Sequence, residues 1–156
     1  MLGPGVSRGP WGIGPQGLPL IKPPYGRVTA VDLKTGERLW MVPHGNTPDA
    51  IKRNPKLQGV EIPNTGAQTR GTGLLVTSTL LFGGEGGFTP VLRAWDTKTG
   101  AVVAEIPLPG PTTGFPVTYT KAGRQYIAVA ARVGDAVEIV ALSLEAATSP
   151  TGRGQP

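Results

Sequence analysis

Cysteine is absent from the chain, which excludes disulfides and thiolate metal sites. No stretch of about 18 apolar residues occurs, so we predict no membrane-spanning helix. The N-terminus lacks the apolar core of a secretory signal peptide, so any export signal is expected on sequence outside this chain. The charges sum to +5 but are scattered. The one basic cluster (Lys52, Arg53 and Lys56) has neither breadth nor interleaved aromatic residues, so we predict no nucleic-acid binding.

Glycine and proline, by contrast, are abundant, with 24 Gly and 17 Pro. Such a content indicates either disorder or an all-β protein with many tight turns. Hydrophobic residues make up 38% of the chain, which is too many for a disordered protein, and they come in short runs separated by turn-forming residues. We therefore predict an all-β fold of many short strands.

Composition divides the chain into three parts. Residues 1–17 form a Gly/Pro-rich leader and residues 146–156 a polar tail, and both are predicted to be disordered. The predicted strands lie in residues 18–145. Among them, residues 43–70 form a long polar connection, with a short helical turn predicted around residues 49–53. Connections of this length are usually functional or mobile.

Two segments of the chain match each other. Residues 28–36 align with residues 92–100 and share the core Ala-x-Asp-x-Lys-Thr-Gly. The step from Ala30 to Ala94 is 64 residues, whereas a four-stranded propeller blade takes about 40–50, and the long connection accounts for the excess. The predicted strands follow the order hairpin, Ala-x-Asp hairpin, hairpin and single strand, which is the order that radial repetition of blades produces. We predict the last two strands of one blade, one complete blade and three strands of a third.

An incomplete blade leaves unpaired backbone groups along its edges. We therefore expect the isolated chain to be marginally stable or prone to aggregation, and to be part of a longer chain or to pair with one. Asp32 and Asp96 occupy the same turn position in the two repeats, which favours a structural role over a catalytic carboxylate pair.

The segment from Ala30 to Trp40 resembles the tryptophan-docking repeat of the pyrroloquinoline-quinone (PQQ) dehydrogenases, or quinoproteins, in which the Trp packs flat between neighbouring blades. Residues 22–27, 114–119 and 123–127 resemble the membrane-bound glucose dehydrogenase branch of that family. The resemblance covers residues 18–144.

This resemblance implies β-propeller blades from an eight-bladed, calcium-dependent enzyme that faces the periplasm. Such an enzyme oxidises glucose or a related sugar or alcohol and passes electrons to ubiquinone or a cytochrome. The chain would be its C-terminal part, inactive alone, with the remaining blades as partner and any inner-membrane tether on sequence outside it. The family's calcium ligands and catalytic aspartate lie upstream of the matched region, so no catalytic residue or metal ligand is assigned here.

Four residues are predicted to bind the cofactor at the rim of the propeller: Arg70, Thr72, Glu85 and Arg132. In propellers, loops between second and third strands share a face with the loops that lead into each blade, and the family holds its cofactor there. A solvated loop residue is the alternative for each of the four.

The sequence departs from the family pattern at two described motifs. Ala104 stands where the second docking Trp is expected, which predicts a weaker contact between blades. The family's Gly-rich loop after the penultimate strand corresponds here to residues 130–135, which read Ala-Ala-Arg-Val-Gly-Asp and are not Gly-rich. The cofactor contacts that this loop makes in the family are therefore not carried over.

Other conspicuous residues are predicted to be structural. Trp40 and Trp95 are expected in packing roles. His44 has no partners at ligand spacing, so a surface or loop position is expected. Residues 83–87 are expected to form a tight loop, since no Gly-Lys-Ser/Thr follows to make a phosphate site.

Two other functions are compatible with the sequence. One is a non-catalytic propeller scaffold that binds partner strands, and the other is an extracellular sugar-binding module. The residues do not decide the substrate or the electron acceptor.

Overall fold

The computed structural model describes residues 14–68, 73–85 and 89–144, and within them the regular secondary structure is almost all β-strand. Three antiparallel sheets contain two, four and three strands, which confirms the strand count predicted from the repeat. Sheet 1 is ordered β1-β2, sheet 2 is β3-β4-β5-β6, and sheet 3 is β7-β8-β9. The strands are β1 (Arg27–Val31), β2 (Arg38–Pro43), β3 (Leu74–Val76), β4 (Leu80–Glu85), β5 (Thr89–Asp96), β6 (Val102–Pro107), β7 (Val117–Lys121), β8 (Arg124–Val133) and β9 (Ala136–Leu142).

The two repeats have the same local structure. Ala30 pairs with Trp40 across β1 and β2, and Ala94 pairs with Ala104 across β5 and β6. The register of each ladder shifts immediately after its alanine. The prediction that Ala30 and Ala94 mark equivalent places in successive sheets is therefore confirmed.

The turns of the two repeats are also alike. Asp32 Oδ1 accepts hydrogen bonds from the backbone N–H groups two and three residues on, at 2.7 and 3.2 Å. Asp96 Oδ1 accepts the same pair at 3.0 and 2.8 Å. Gly36 and Gly100 end the turns at φ of +75° and +73°, a conformation that favours glycine. The structural role predicted for both aspartates is confirmed.

Side-chain alternation along β5 divides its residues between the two neighbouring sheets. Leu92 and Ala94 lie in the core between sheets 2 and 3, whereas Trp95 is fully buried in the core between sheets 1 and 2. The larger core joins sheets 2 and 3 and contains Phe82, Leu92, Ala94, Leu108 and Val129.

Trp40 packs between sheets 1 and 2, as the docking repeat predicts. Its Nε1–H donates a hydrogen bond to the backbone oxygen of Thr97 at 3.0 Å. A Cβ placed on Gly100 would lie 2.7 Å from the indole ring, so the ring rests directly on the glycine of the next sheet. The predicted packing roles of Trp40 and Trp95 are confirmed.

The described part of the long connection packs against sheet 1. It contains the predicted helical turn, as α1 (Asp49–Lys52). Backbone hydrogen bonds run from Tyr25 N–H to Thr65 O, at 2.7 Å, and from Ala67 N–H to His44 O, at 2.8 Å. Gly26 permits this crossing, because a Cβ there would lie 1.9 Å from the Ala67 oxygen.

Two predicted loops are partly strand. Residues 130–133 continue β8, because Thr112 and the strand β9 extend the pairing on both sides of Ala131. The expected tight loop at 83–87 is likewise wrong for residues 83–85, which pair with β5 at the end of β4. Residues 86 and 87 lie outside the described part of the chain, as do 1–13 and 145–156. The predicted disorder of the two termini therefore stays a prediction.

Candidate functional site

The four predicted rim residues are only partly described. Arg70 and Thr72 lie outside the described residues. Glu85 ends β4, and Arg132 lies one residue before the end of β8. Because β4 and β8 occupy corresponding second positions in adjacent sheets, Glu85 and Arg132 lie near corresponding strand ends. Their surroundings differ, since Glu85 is buried and Arg132 is exposed on a strand and not in the predicted loop.

Glu85 belongs to a buried ion-pair cluster centred on Arg93. The side chain of Glu85 is 2% exposed and that of Arg93 is 5% exposed, and the two form a salt bridge through Arg93 Nη1. Arg93 Nε also donates to Glu105 Oε1 at 2.6 Å. Arg93 Nη2 donates to Asn46 Oδ1 at 3.0 Å. One guanidinium therefore contacts three separate segments of the chain.

The local sequence explains why this charge is buried. Arg93 shares the face of β5 that carries Trp95, which turns both toward sheet 1. Gly83 stands opposite Arg93 on β4, and the space that a side chain there would fill is taken by Leu74 and by the ring of Trp95. A buried guanidinium requires compensating partners, and Arg93 has them in its hydrogen bonds to Glu105 and Asn46 and its salt bridge to Glu85.

His44 is buried beside this cluster. It is 6% exposed, and its ring meets that of Trp95 edge-on, with centroids 5.6 Å apart. Burial lowers the pKa of His44 below its ordinary value, while the charge of Glu85 opposes that shift. His44 follows β2 in the long connection, so the expected loop position is confirmed, but it is buried and not at the surface, because the Trp95 ring of the next sheet packs against it.

Sequence reasoning missed Arg93, Asn46 and the burial of His44. A signal for Arg93 existed in the alternation Leu92-Arg93-Ala94-Trp95, which puts a cation on the same buried face as a tryptophan. No local signal marks Asn46, because its contact with Arg93 spans 47 residues.

Comparison with known proteins identifies the family. The model of the PQQ glucose/ethanol/alcohol dehydrogenase β-propeller domain matches residues 4–127, about four-fifths of the chain. The chain belongs to this quinoprotein family. The resemblance seen in the docking repeat is thereby confirmed, and the three sheets are blades of a quinoprotein β-propeller.

Several curated quinoproteins are similar to the chain. A probable quinate dehydrogenase (quinone) of Xanthomonas campestris pv. juglandis is 37% identical over 117 residues, covering 74% of this chain and 14% of the relative. The glycerol dehydrogenase large subunit of Gluconobacter thailandicus is 34% identical over 117 residues, with 74% and 15% covered. The quinoprotein glucose dehydrogenase of Escherichia coli K12 is 29% identical over 132 residues, with 81% and 16% covered. The chain thus spans about a seventh of the length of these relatives.

The described residues of this quinoprotein supply little of a PQQ site by themselves. PQQ is an anionic tricarboxylate quinone, which calls for cationic and N–H donors. The exposed guanidinium of Arg132 suits that charge, whereas the Glu85 carboxylate is turned to Arg93 and repels an anion. In the described ranges, no group of three or more His, Asp or Glu side chains could hold a metal ion.

The described parts of this quinoprotein also contain no helix long and apolar enough to cross a membrane.

Proposed function

We propose that this chain is the C-terminal portion of a PQQ-dependent dehydrogenase that oxidises glucose or a related sugar or alcohol. Electrons would pass to ubiquinone or a cytochrome. The main support is the family match together with a propeller-type junction in which Trp40 docks on the next sheet. Relatives named for quinate, glycerol and glucose share the region, so the proposed substrate class is a small polyhydroxylated molecule.

PQQ, when bound, supplies the two-electron redox chemistry, and the protein supplies binding and orientation. We propose that Arg70, Thr72 and Arg132 bind it at the rim as cationic or hydroxyl donors. Glu85 would act there through Arg93, because its carboxylate is buried in their ion pair. Calcium would be held by ligands outside this chain. The protein would face the periplasm, as the glucose dehydrogenase resemblance implies.

The exposed flank of sheet 1 supports a longer propeller. Val31 is 46% exposed, whereas Trp95, at the equivalent position of the next repeat, is fully buried. A Cβ on Gly36 would meet nothing among the described residues, whereas one on Gly100 would strike Trp40. Sheet 2 packs one of its faces against sheet 1. The equivalent face of sheet 1 is therefore exposed among the described residues. We propose that the remaining blades cover it, and that this chain alone is inactive.

Two measurements test this proposal. The genomic sequence upstream of Met1 should encode further Ala-x-Asp repeats and a spaced Glu/Asn/Asp calcium set in the same reading frame. The protein encoded by the whole frame, loaded with PQQ and Ca²⁺, should reduce an artificial dye with glucose, glycerol or quinate, and the 156-residue chain should not. Turnover by the chain alone would contradict the fragment proposal. Failure of the whole protein on every substrate would contradict the dehydrogenase.

A non-catalytic propeller scaffold is the second candidate. The observation that favours it is the edge of β9, which among the described residues pairs only with β8 and could receive a partner strand. Upstream repeats without the calcium set would support this candidate over the enzyme.

A further inference from the structure

Arg93 connects three segments that are far apart in the chain. Glu85 ends β4, Glu105 lies on β6, and Asn46 follows β2 at the start of the long connection. Of these contacts, the one with Asn46 joins sheet 2 to the chain leaving sheet 1. The guanidinium therefore links the two sheets at the end of β4.

The geometry requires an arginine. The three contacts use Nε, Nη1 and Nη2, so each nitrogen of the planar group has its own partner. A lysine keeps the charge, but its single ammonium on a flexible stem does not reproduce a planar fork. Charge alone therefore does not replace the contacts that Arg93 makes.

We infer that Arg93 is a positioning residue that holds the end of β4 and the first residues of the connection in place at the cofactor-side rim. The inference rests on the proposed function only for the identity of that face. Glu85 is the group through which Arg93 fixes β4, and Asn46 is the group through which it fixes the connection.

Removal of Arg93 affects both segments in different ways. Glu85 is left as a buried carboxylate without its counter-charge, which favours local opening of β4. Asn46 loses one of the contacts that tie residues 44–47 to sheet 2, another being the edge-on contact between the His44 and Trp95 rings. Sheet 3 contains neither segment, although Phe82 of β4 packs against it, so its strands should lose less protection than residues 81–85 and 44–47.

Hydrogen–deuterium exchange on the full 156-residue chain tests this inference. Arg93→Lys should raise exchange about tenfold in peptides covering residues 81–85 and 44–47, with a clearly smaller change in β7–β9. The matched control is Arg38→Lys, at an exposed arginine of β2. Unchanged protection in both segments, or an equal loss in all peptides, would overturn the inference.

A second variant separates positioning from stability. The double variant Arg93→Met/Glu85→Met replaces a buried ion pair with apolar side chains, a change that is often neutral or stabilising. Its unfolding midpoint should recover relative to Arg93→Met alone, while residues 44–47 still exchange about tenfold faster than in the unsubstituted chain. Protection of 44–47 that recovers with the midpoint would show a purely structural role and refute the inference. Neither experiment needs PQQ, so failure of the proposed dehydrogenase would leave these results standing.

Discussion

The indole Nε1–H of Trp40 donates to the backbone oxygen of Thr97, and this 3.0 Å hydrogen bond joins two sheets whose contacting residues are 57 positions apart. The same ring covers Gly100, which ends the turn that Asp96 shapes. The contact between the two repeats thus places a donor, an acceptor and a flat surface together.

Gly100→Val should destabilise the fold more than Gly36→Val. Both glycines have positive φ, so both substitutions strain the backbone. Only the side chain at Gly100 also strikes Trp40, which adds about 1–3 kcal/mol of overpacking. Denaturant unfolding of the two variants measures the difference, and equal losses would show that the Trp40 contact contributes nothing.

Trp40→Phe should lower the free energy of unfolding by about 1 kcal/mol through the lost hydrogen bond to Thr97. The smaller phenyl ring should lower it further, because it makes less packing contact. Trp40→Ala should cost about 3–5 kcal/mol, because it also removes the packing against sheet 2. Urea titrations followed by circular dichroism provide both values. If the two variants are equally stable, the ring is not a packing element.

Gly26→Ala should be among the more destabilising glycine substitutions, with a cost of about 2 kcal/mol or more. The new Cβ would lie 1.9 Å from the backbone oxygen of Ala67, so the connection must move away from sheet 1. Gly114→Ala is the control, since its Cβ would make an ordinary contact at 3.6 Å from the Ala130 methyl. Thermal unfolding compares the pair, and a control that loses as much stability would contradict the close crossing.

The stability of the chain should fall as the pH drops below about 6.5, because the folded state holds the His44 pKa below that ordinary value. In this window the unfolded chain binds the proton and the buried imidazole does not, so the free energy of unfolding rises with pH. Glu85 and Arg93 also face the ring and shift its pKa in opposite directions. His44→Gln should flatten the dependence between about pH 7.5 and 5.5.

Asp96 provides a check on that assignment. Hydrogen bonds from Thr99 lower the pKa of Asp96 below its ordinary 3.8, so its contribution is lost only in more acidic solution. A dependence near pH 6 that survives in His44→Gln would therefore have to come from another group and would contradict the prediction.

Features that depend on neighbours in the chain could be predicted from the sequence. Each turn needs a side-chain acceptor, Asp32 or Asp96, and a glycine with positive φ four positions later. Both residues can be read directly from the sequence at that spacing. The strand count followed from the internal repeat, and the docking of Trp40 followed from the resemblance to the quinoprotein docking repeat.

Features that depend on distant residues could not be predicted. His44 is buried because Trp95 of another sheet covers it, and Ala131 of β8 is bridged by Thr112 of the segment between sheets 2 and 3. Arg93 is buried because Glu85 and other partners satisfy its guanidinium. In each case the deciding contact lies between segments whose relation is fixed only by the packed sheets.

Ala104 gives the two junctions between sheets different thermal behaviour. Ala104 is exposed and has no ring to lay on sheet 3, so that junction relies on aliphatic and aromatic carbon, chiefly Phe82, Leu92 and Val129. Hydrophobic stabilisation between such groups weakens on cooling. The junction at Trp40 also has the hydrogen bond to Thr97, which does not weaken for that reason. Cooling should therefore weaken the packing of sheet 3 on sheet 2 first, and warming toward room temperature should restore it.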